Sequence, residues 1–176
     1  AFVETTVKRY PTVRHWEIFN EPNLESFWGP KPDPAACAEL VRLTYKKIKS
    51  IDPTLFVVFP GLAGGNNATG GYPGAFLEGI FKSGIKGAYD AMSLHPYRHP
   101  HAPEETHNES DPRAPDKWPV LKTMEAVHEL MANDGDGDKQ FWITEFGFPT
   151  HIGTQGPGTM GDEFLESAKK ALQDNT

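Results

Sequence analysis

Short apolar runs alternate with amphipathic helical patterns along the chain, and this alternation constrains the fold more than any other feature. Strands are predicted at 14–19, 55–59, 89–95 and 140–144, and the second of these, LFVVF, is apolar throughout. A continuous apolar run is typical of a strand buried on both faces of a parallel sheet. Because a helical pattern separates each strand from the next, the sequence predicts an α/β fold with a parallel sheet and helical crossovers.

The predicted helices flank every strand. They cover residues 1–10, 34–51, 75–82, 116–133 and 162–175. The second helix has a clear start, because Asp33 is a good N-cap and Pro34 suits the first helical position. Its apolar side is expected to include Leu43, and the apolar side of the fourth helix is expected to include Leu121 and His128.

The length of the chain limits how many strands the sheet holds. The four predicted strands and their helices use all 176 residues. A closed eight-stranded (β/α)8 barrel needs at least about 200–250 residues. The sequence therefore predicts one domain over 1–176, which is either a small open α/β domain or about half of a barrel.

Charge and composition exclude several classes of partner. The net charge is −7, and lysine and arginine form no cluster, so nucleic acid and anionic membranes are not expected partners. No window approaches 18 uninterrupted apolar residues, so no membrane span is predicted. The single cysteine, Cys37, cannot form an intrachain disulfide.

Two glutamates follow the first and fourth predicted strands. Glu21 stands in Asn-Glu-Pro-Asn, and Glu145 stands in Thr-Glu-Phe-Gly. Both lie where the carboxyl ends of parallel strands meet, and catalytic residues of α/β barrels cluster on that face. In such a pair one carboxyl group can protonate a glycosidic oxygen, and the other can attack the acetal carbon or activate a water. Each glutamate alone is equally explained as a solvated loop residue. Glu17 has the same strand parity as Glu21, so an inward-pointing carboxylate there would need partners.

The residues around the two glutamates resemble a known family of enzymes. The segment WEIFNEPN at 16–23, followed by Phe27-Trp28, resembles the acid/base segment of the glycoside hydrolase clan with (β/α)8 barrels. TEFGFPT at 144–150 resembles that clan's nucleophile segment. The stretch from 20 to 34 is most similar to family 39, which includes β-xylosidases; the cellulase-like families are the second choice. In the clan these segments end barrel strands 4 and 7, so the resemblance implies that the chain holds strands 4 to 7 of a barrel truncated at both ends.

The resemblance also implies roles for particular residues. Glu21 becomes the general acid/base and Glu145 the nucleophile of a retaining glycosidase. Asn20 is expected to contact the sugar 2-hydroxyl. His95 is expected to line the −1 subsite, which holds the sugar ring that is attacked. Tyr97 is expected to donate a hydrogen bond to Glu145. For His95 a packed strand-end histidine, and for Tyr97 a plain surface tyrosine, are the alternatives.

The remaining expectations concern Trp28, the substrate and the cellular location. Trp28 is expected either to stack on a sugar ring or to anchor its loop by burial. The substrate is expected to be a plant or microbial polysaccharide or oligosaccharide. No cofactor and no metal are predicted. The full-length parent is expected outside the cytoplasm, and the chain alone is expected to lack full activity, since the clan's strands 1 to 3 and 8 have no counterpart here.

Two other classes of function remain open at this level. One is a non-catalytic carbohydrate-binding or structural half-barrel, which is excluded if Glu21 and Glu145 face one cleft beside a histidine or tyrosine. The other is a metal-binding α/β domain, which requires three of the loop histidines to converge. Those histidines are His95, His99, His101 and His107.

Open sheet edges generate a first testable expectation. A half-barrel leaves two parallel strand edges unpaired, and unpaired edges promote association between chains. We expect the chain, produced alone, to be poorly soluble or to self-associate, with a sedimentation coefficient that rises with concentration. A sharp, cooperative melt of a clean monomer at high concentration would contradict this.

Overall fold

The computed structural model describes residues 1–64, 73–97 and 120–147, which form one parallel sheet flanked by helices. The elements in chain order are α1 (Phe2–Arg9), β1 (His15–Glu17), α2 (Pro34–Ile51), β2 (Phe56–Val58), β3 (Leu62–Ala63), α3 (Gly74–Lys82), β4 (Ala91–His95), α4 (Val120–Asp134) and β5 (Gln140–Ile143). The predicted helix at 162–175 lies outside the described residues, as does most of the loop before α4.

All strand pairs in the described sheet are parallel. β1 pairs with β2. Three strands pair with β4, namely β2, β3 and β5. The four strands predicted from the sequence are therefore adjacent in chain order, which confirms the α/β architecture. The single partial domain over 1–176 stays a prediction.

The short strand β3 was not predicted, because the sequence indicates a loop from residue 60. Val58 pairs with Ala91 and Leu62 with Leu94, so four residue steps on one side match three on the other. This is the count of a β-bulge, which inserts one extra residue into one strand of a pair. Pro60 lies inside the bulge, where its missing N–H is tolerated. The strand prediction at 55–59 therefore stopped too early.

The helix α2 begins as the sequence predicts. The Asp33 carboxylate accepts hydrogen bonds from the N–H groups of Ala35 and Ala36, and Pro34 occupies the first turn. Its buried side differs from the prediction, however, because Leu43 is exposed. The residues of α2 that are buried are Cys37, Ala38, Val41 and Ile48.

The helix α4 also presents a different side to the core than the sequence predicts. Leu121 and His128 are exposed, while Val127 and Met131 are buried together with Thr123. The buried residues are spaced four apart along the helix. Because one of them, Thr123, is polar, the pattern of apolar residues could not reveal this buried side.

The two faces of the sheet have different chemistry, because successive side chains of a strand alternate between faces. One face is apolar and packs with the helices. Its buried strand residues are Ile18, Val57, Phe59, Leu62, Met92 and Leu94. The other face is polar and aromatic, with Trp142 stacked on Phe56 at 5.0 Å between ring centroids and His15 beside both rings. At the carboxyl end of β4, this second face carries His95.

None of the helices in the described part of the chain has the length and apolar character that crossing a bilayer requires.

Asp90, just before β4, connects three elements at the amino end of the sheet. Its carboxylate accepts hydrogen bonds from the Val57 N–H at 2.8 Å, Lys49 Nζ at 2.6 Å and the Tyr45 hydroxyl at 3.2 Å. Burial, and then the Asp90 charge, raises the pKa of Tyr45 to about 12. The Tyr45 hydroxyl therefore remains a donor at neutral pH.

We expect Asp90→Ala to lower the free energy of unfolding by about 2–3 kcal/mol, because the buried Val57 N–H loses its partner and the Lys49 ammonium keeps only the Leu55 carbonyl. Glu78→Ala is the control, since it removes an exposed pair with Lys82 on α3 and such pairs are worth less than about 1 kcal/mol. Urea unfolding followed by circular dichroism measures both. Equal losses in the two variants would contradict this role of Asp90.

Candidate active site

Glu21 is placed by a turn in an uncommon backbone conformation. After β1 the chain stays paired, since Asn20 bridges to Gly61 and the Glu21 N–H donates to the Gly61 carbonyl at 2.9 Å. Phe19 and Glu21 then adopt φ of 64° and 42°. Non-glycine residues rarely adopt positive φ, and such strain persists only where the surroundings hold it. The turn ends the strand and places the Glu21 carboxylate beside β4.

Asn23 fixes the far side of this turn. Its side-chain oxygen accepts from the Ala63 N–H and its side-chain nitrogen donates to the Ala63 carbonyl, both at 3.0 Å. The amide of Asn23 thus replaces a strand neighbour for β3. From the sequence, Asn23 was noted only as the last residue of the Asn-Glu-Pro-Asn motif. Nothing in that motif indicates its contact with Ala63.

His95 ends β4 and is the most buried member of the site. Its side chain is 1% exposed, and its Nδ1 lies 3.1 Å from Glu21 Oε1. A Cβ on Gly61 would lie 2.0 Å from His95 Nε2. The space that the imidazole occupies therefore exists only because residue 61 has no side chain.

Glu145, after β5, has a different environment from Glu21. Its Oε2 accepts a hydrogen bond from the Tyr97 hydroxyl at 3.1 Å and lies 3.7 Å from His95 Nδ1. Glu145 is largely exposed, whereas Glu21 is mostly enclosed. Burial raises the pKa of Tyr97, and the hydrogen bond to Glu145 and the negative charges of Glu145 and Glu21 raise it further. The phenol therefore keeps its proton and remains a donor to Glu145.

A second layer of polar groups lies beneath the two glutamates. The Thr144 hydroxyl donates to Glu17 Oε1 at 2.9 Å, lies 3.0 Å from His95 Nε2 and lies 2.6 Å from the Ser93 hydroxyl. Glu17 thus has the partner that its inward parity requires. Sequence reasoning assigned no role to Ser93 or Thr144. The available signal was the two-residue period, which places Ser93 on the same face as His95.

Asn20 and Trp28 lie close to the turn but show no contact that tests their expected roles. Asn20 is half-buried and its backbone bridges to Gly61. Trp28 is half-buried, packs against the core and meets the Phe19 ring edge-on at 5.4 Å between centroids. This arrangement is the loop anchor that the sequence allowed for Trp28. Sugar contacts by both residues stay predictions.

The carboxylates and the imidazole also form a group that could ligate a cation. Donor atoms of Glu21, His95 and Glu145 all lie within 4.8 Å of one another. Only one of the four loop histidines takes part, and the other three lie outside the described residues. The prediction that the site uses no metal stays a prediction.

The geometry suits chemistry at an acetal centre. One oxygen of Glu21 and one of Glu145 lie within 4.8 Å of each other, with a histidine and a tyrosine alongside. Carboxyl groups about 5–5.5 Å apart leave room for direct attack on a sugar carbon, whereas about 6.5–9.5 Å leaves room for an intervening water. The two carboxyl groups therefore face one cleft, beside His95 and Tyr97.

The parallel sheet, its outer helices and its carboxyl-end site define part of a (β/α)8 barrel. A family 39 glycoside hydrolase (GH39) from Xanthomonas axonopodis pv. citri superposes with a TM-score of 0.56 at 23% identity, over 84% of this chain and 30% of that one. A family 51 α-L-arabinofuranosidase from Bifidobacterium longum superposes with a TM-score of 0.51 at 18% identity, over 75% of this chain and 26% of that one. These likenesses establish the barrel fold.

The particular relatives are β-xylosidases. A monomeric β-xylosidase from Caulobacter crescentus superposes with a TM-score of 0.58 at 25% identity, over 85% of this chain and 31% of that one. A β-xylosidase from Geobacillus stearothermophilus is 37% identical over 71 residues, which are 38% of this chain and 14% of that protein. No family model matches the sequence. The chain is thus similar to family 39 glycoside hydrolases and spans less than a third of the length of these relatives.

The close approach of Gly61 to His95 gives a test of the site's architecture. We expect Gly61→Ala to displace the imidazole and to destabilise the fold by about 1–3 kcal/mol, as overpacking does in a filled interior. Gly64→Ala is the matched control, because its Cβ would meet only ordinary contacts of 3.4 Å and longer. Thermal unfolding and the His95 ring resonances report the two effects. Unchanged ring resonances in Gly61→Ala would contradict this placement of His95.

Proposed function

We propose that this chain is the part of a retaining glycoside hydrolase that carries both catalytic carboxyl groups. Glu21 is the general acid/base and Glu145 is the nucleophile. The observation that supports the proposal most is that one oxygen of Glu21 and one of Glu145 lie within 4.8 Å of each other in one cleft. An approach this close is compatible with the about 5–5.5 Å between carboxyl groups at which a carboxylate attacks the sugar directly.

The reaction proceeds by two displacements. In the first, a Glu145 oxygen forms a bond to the anomeric carbon while the bond to the glycosidic oxygen breaks, and Glu21 gives its proton to that leaving oxygen. In the second, a water attacks the anomeric carbon and releases Glu145, while Glu21 takes a proton from that water. Both steps invert the anomeric carbon, so the product keeps the configuration of the substrate.

The surroundings of the two glutamates support this division of roles. Glu145 accepts the Tyr97 hydrogen bond, which stabilises a carboxylate ready to attack. Glu21 is enclosed and contacts a ring nitrogen of His95. We assign Asn20 to the sugar 2-hydroxyl, His95 to the wall of the subsite and Trp28 to a neighbouring sugar contact. The relatives named β-xylosidase make β-xylosides the first substrates to test.

The complete barrel is proposed to be needed for full activity. The chain covers 31% of the length of the Caulobacter crescentus β-xylosidase, so most of that protein has no counterpart in it. Activity is therefore to be measured both in this chain and in the complete polypeptide, if the gene encodes further barrel strands.

The substitution of each glutamate separates the two roles. We expect Glu145→Ala to abolish hydrolysis of every aryl β-xyloside. Glu21→Ala is expected to slow xylosides with poor leaving groups by about 10²–10⁴-fold, the usual worth of proton donation, and to slow activated aryl xylosides much less. Glu25→Ala, at an exposed position in the same loop, is the control.

The stereochemistry and the leaving-group dependence decide the outcome. Proton NMR of the first product is expected to show retention of the β configuration. An inverted product would exclude the direct attack by Glu145. An equal loss of rate in Glu21→Ala for both kinds of leaving group would exclude its role as the acid.

A further inference from the structure

A chain of hydrogen bonds connects the second polar layer to the proposed acid. We propose that Glu17, acting through the Thr144 hydroxyl, is a positioning residue that holds His95 in the tautomer with its proton on Nε2, so that Nδ1 accepts the proton carried by Glu21. The catalytic consequence rests on the proposed function, whereas the tautomer itself does not.

The proton positions follow from the donors and acceptors around Thr144. A hydroxyl has one proton to donate and two lone pairs to accept with, and the Thr144 hydroxyl has three polar neighbours. The Glu17 carboxylate only accepts, so it takes the single Thr144 proton. Thr144 Oγ1 must then accept from both remaining neighbours, Ser93 and His95. The second of these bonds requires a proton on His95 Nε2.

Two forms of the ring have a proton on Nε2, the neutral tautomer and the imidazolium ion with protons on both nitrogens, and we assign the neutral tautomer. A neutral imidazole with its proton on Nε2 has a bare Nδ1, which accepts a hydrogen bond but cannot donate one. Glu21 Oε1 lies 3.1 Å from this nitrogen, within hydrogen-bond distance, whereas Glu145 Oε2 lies 3.7 Å away, beyond it. The bare nitrogen therefore faces Glu21, and a proton on the Glu21 carboxyl group completes the bond.

Burial makes this arrangement selective. The His95 side chain is 1% exposed, so water cannot replace the protein groups as hydrogen-bond partners of the ring. Ser93 is equally buried, and Thr144 is half-buried. In such surroundings an unmatched donor or acceptor costs more than it would in water. The opposite tautomer would leave Nε2 facing Thr144 Oγ1, whose proton is already given to Glu17.

The network also distinguishes the two catalytic glutamates. Glu21 faces an acceptor, the bare Nδ1, whereas Glu145 accepts a hydrogen bond from a donor, the Tyr97 hydroxyl. Glu17 makes no described hydrogen bond to either of these glutamates. Its Oε1 accepts from Thr144 and lies 3.9 Å from His95 Nε2, so its influence reaches Glu21 through these two residues.

The tautomer is measured directly by nitrogen NMR on the chain labelled with ¹⁵N-histidine. The His95 signals are identified by their loss in His95→Gln. At neutral pH we expect His95 to show one protonated nitrogen, Nε2, and one bare nitrogen, Nδ1. Thr144→Val removes the hydroxyl at nearly constant volume, and Glu17→Gln removes the charge that orders it. Each is expected to raise the Nδ1–H form about tenfold relative to Nε2–H, which corresponds to the loss of one ordinary hydrogen bond between neutral groups.

Conservative variants separate positioning from a general structural effect. Thr144→Ser keeps the hydroxyl and is expected to keep the wild-type tautomer. Glu25→Gln makes the same chemical change as Glu17→Gln at an exposed loop position and is expected to change nothing. A wild-type ring with its proton on Nδ1, or on both nitrogens, would overturn the proposal. So would a tautomer that stays unchanged in both Thr144→Val and Glu17→Gln.

Kinetics test the consequence for catalysis independently. Thr144→Val is expected to lower kcat about 10- to 100-fold on xylosides with poor leaving groups, a part of the 10²–10⁴-fold that proton donation supplies. Its KM and its rate on activated aryl xylosides are expected to change little, and Thr144→Ser is expected to restore kcat. The expected tautomer without any glycosidase activity in the complete polypeptide would overturn the proposed function and leave the tautomer assignment standing. The opposite tautomer in an active glycosidase would overturn the positioning role alone.

Discussion

The buried imidazole of His95 joins the strands that carry the site. Its two nitrogens face groups from different elements: Glu21 follows β1, and Thr144 follows β5. The ring reaches both because it ends β4, the strand that pairs with β2, β3 and β5. A buried ring with both nitrogens matched is stabilising, whereas one unmatched nitrogen is costly. The positions of the strand ends are therefore coupled through one side chain.

The polar face of the sheet depends on this coupling. On this face Ser93 is buried and Thr144 half-buried, while Glu17 stands at the exposed end of β1. Each of the three finds a hydrogen-bond partner among the others. The apolar core lies on the opposite face, against the helices. The fold thus separates the side chains that stabilise it from the side chains that are proposed to do chemistry.

Much of the fold and the outline of the site could be predicted from the sequence. The run LFVVF and the Asp33-Pro34 start of α2 are local signals, and the structure shows strand and helix there. The bulge before β3 could not be predicted, because it depends on pairing with β4. Within the site, Glu21, His95, Tyr97 and Glu145 were identified by their motifs, and the structure brings them together. The role of Thr144 was not apparent, because a hydroxyl gains its function only from neighbours distant in sequence.

The bulge between β2 and β3 also sets the phase of the strand. Before it, Val57 and Phe59 face the helices; after it, Leu62 faces the helices and Ala63 lies level with His95. Without the extra residue the alternation would continue unbroken, and Leu62 would turn its side chain towards the glutamates. The segment at 59–61 is therefore constrained in length, and at Gly61 in composition as well, because a side chain there would meet the His95 ring. Neither insertions nor deletions are expected in it over evolution, since either would exchange the apolar and polar faces of everything that follows in that strand.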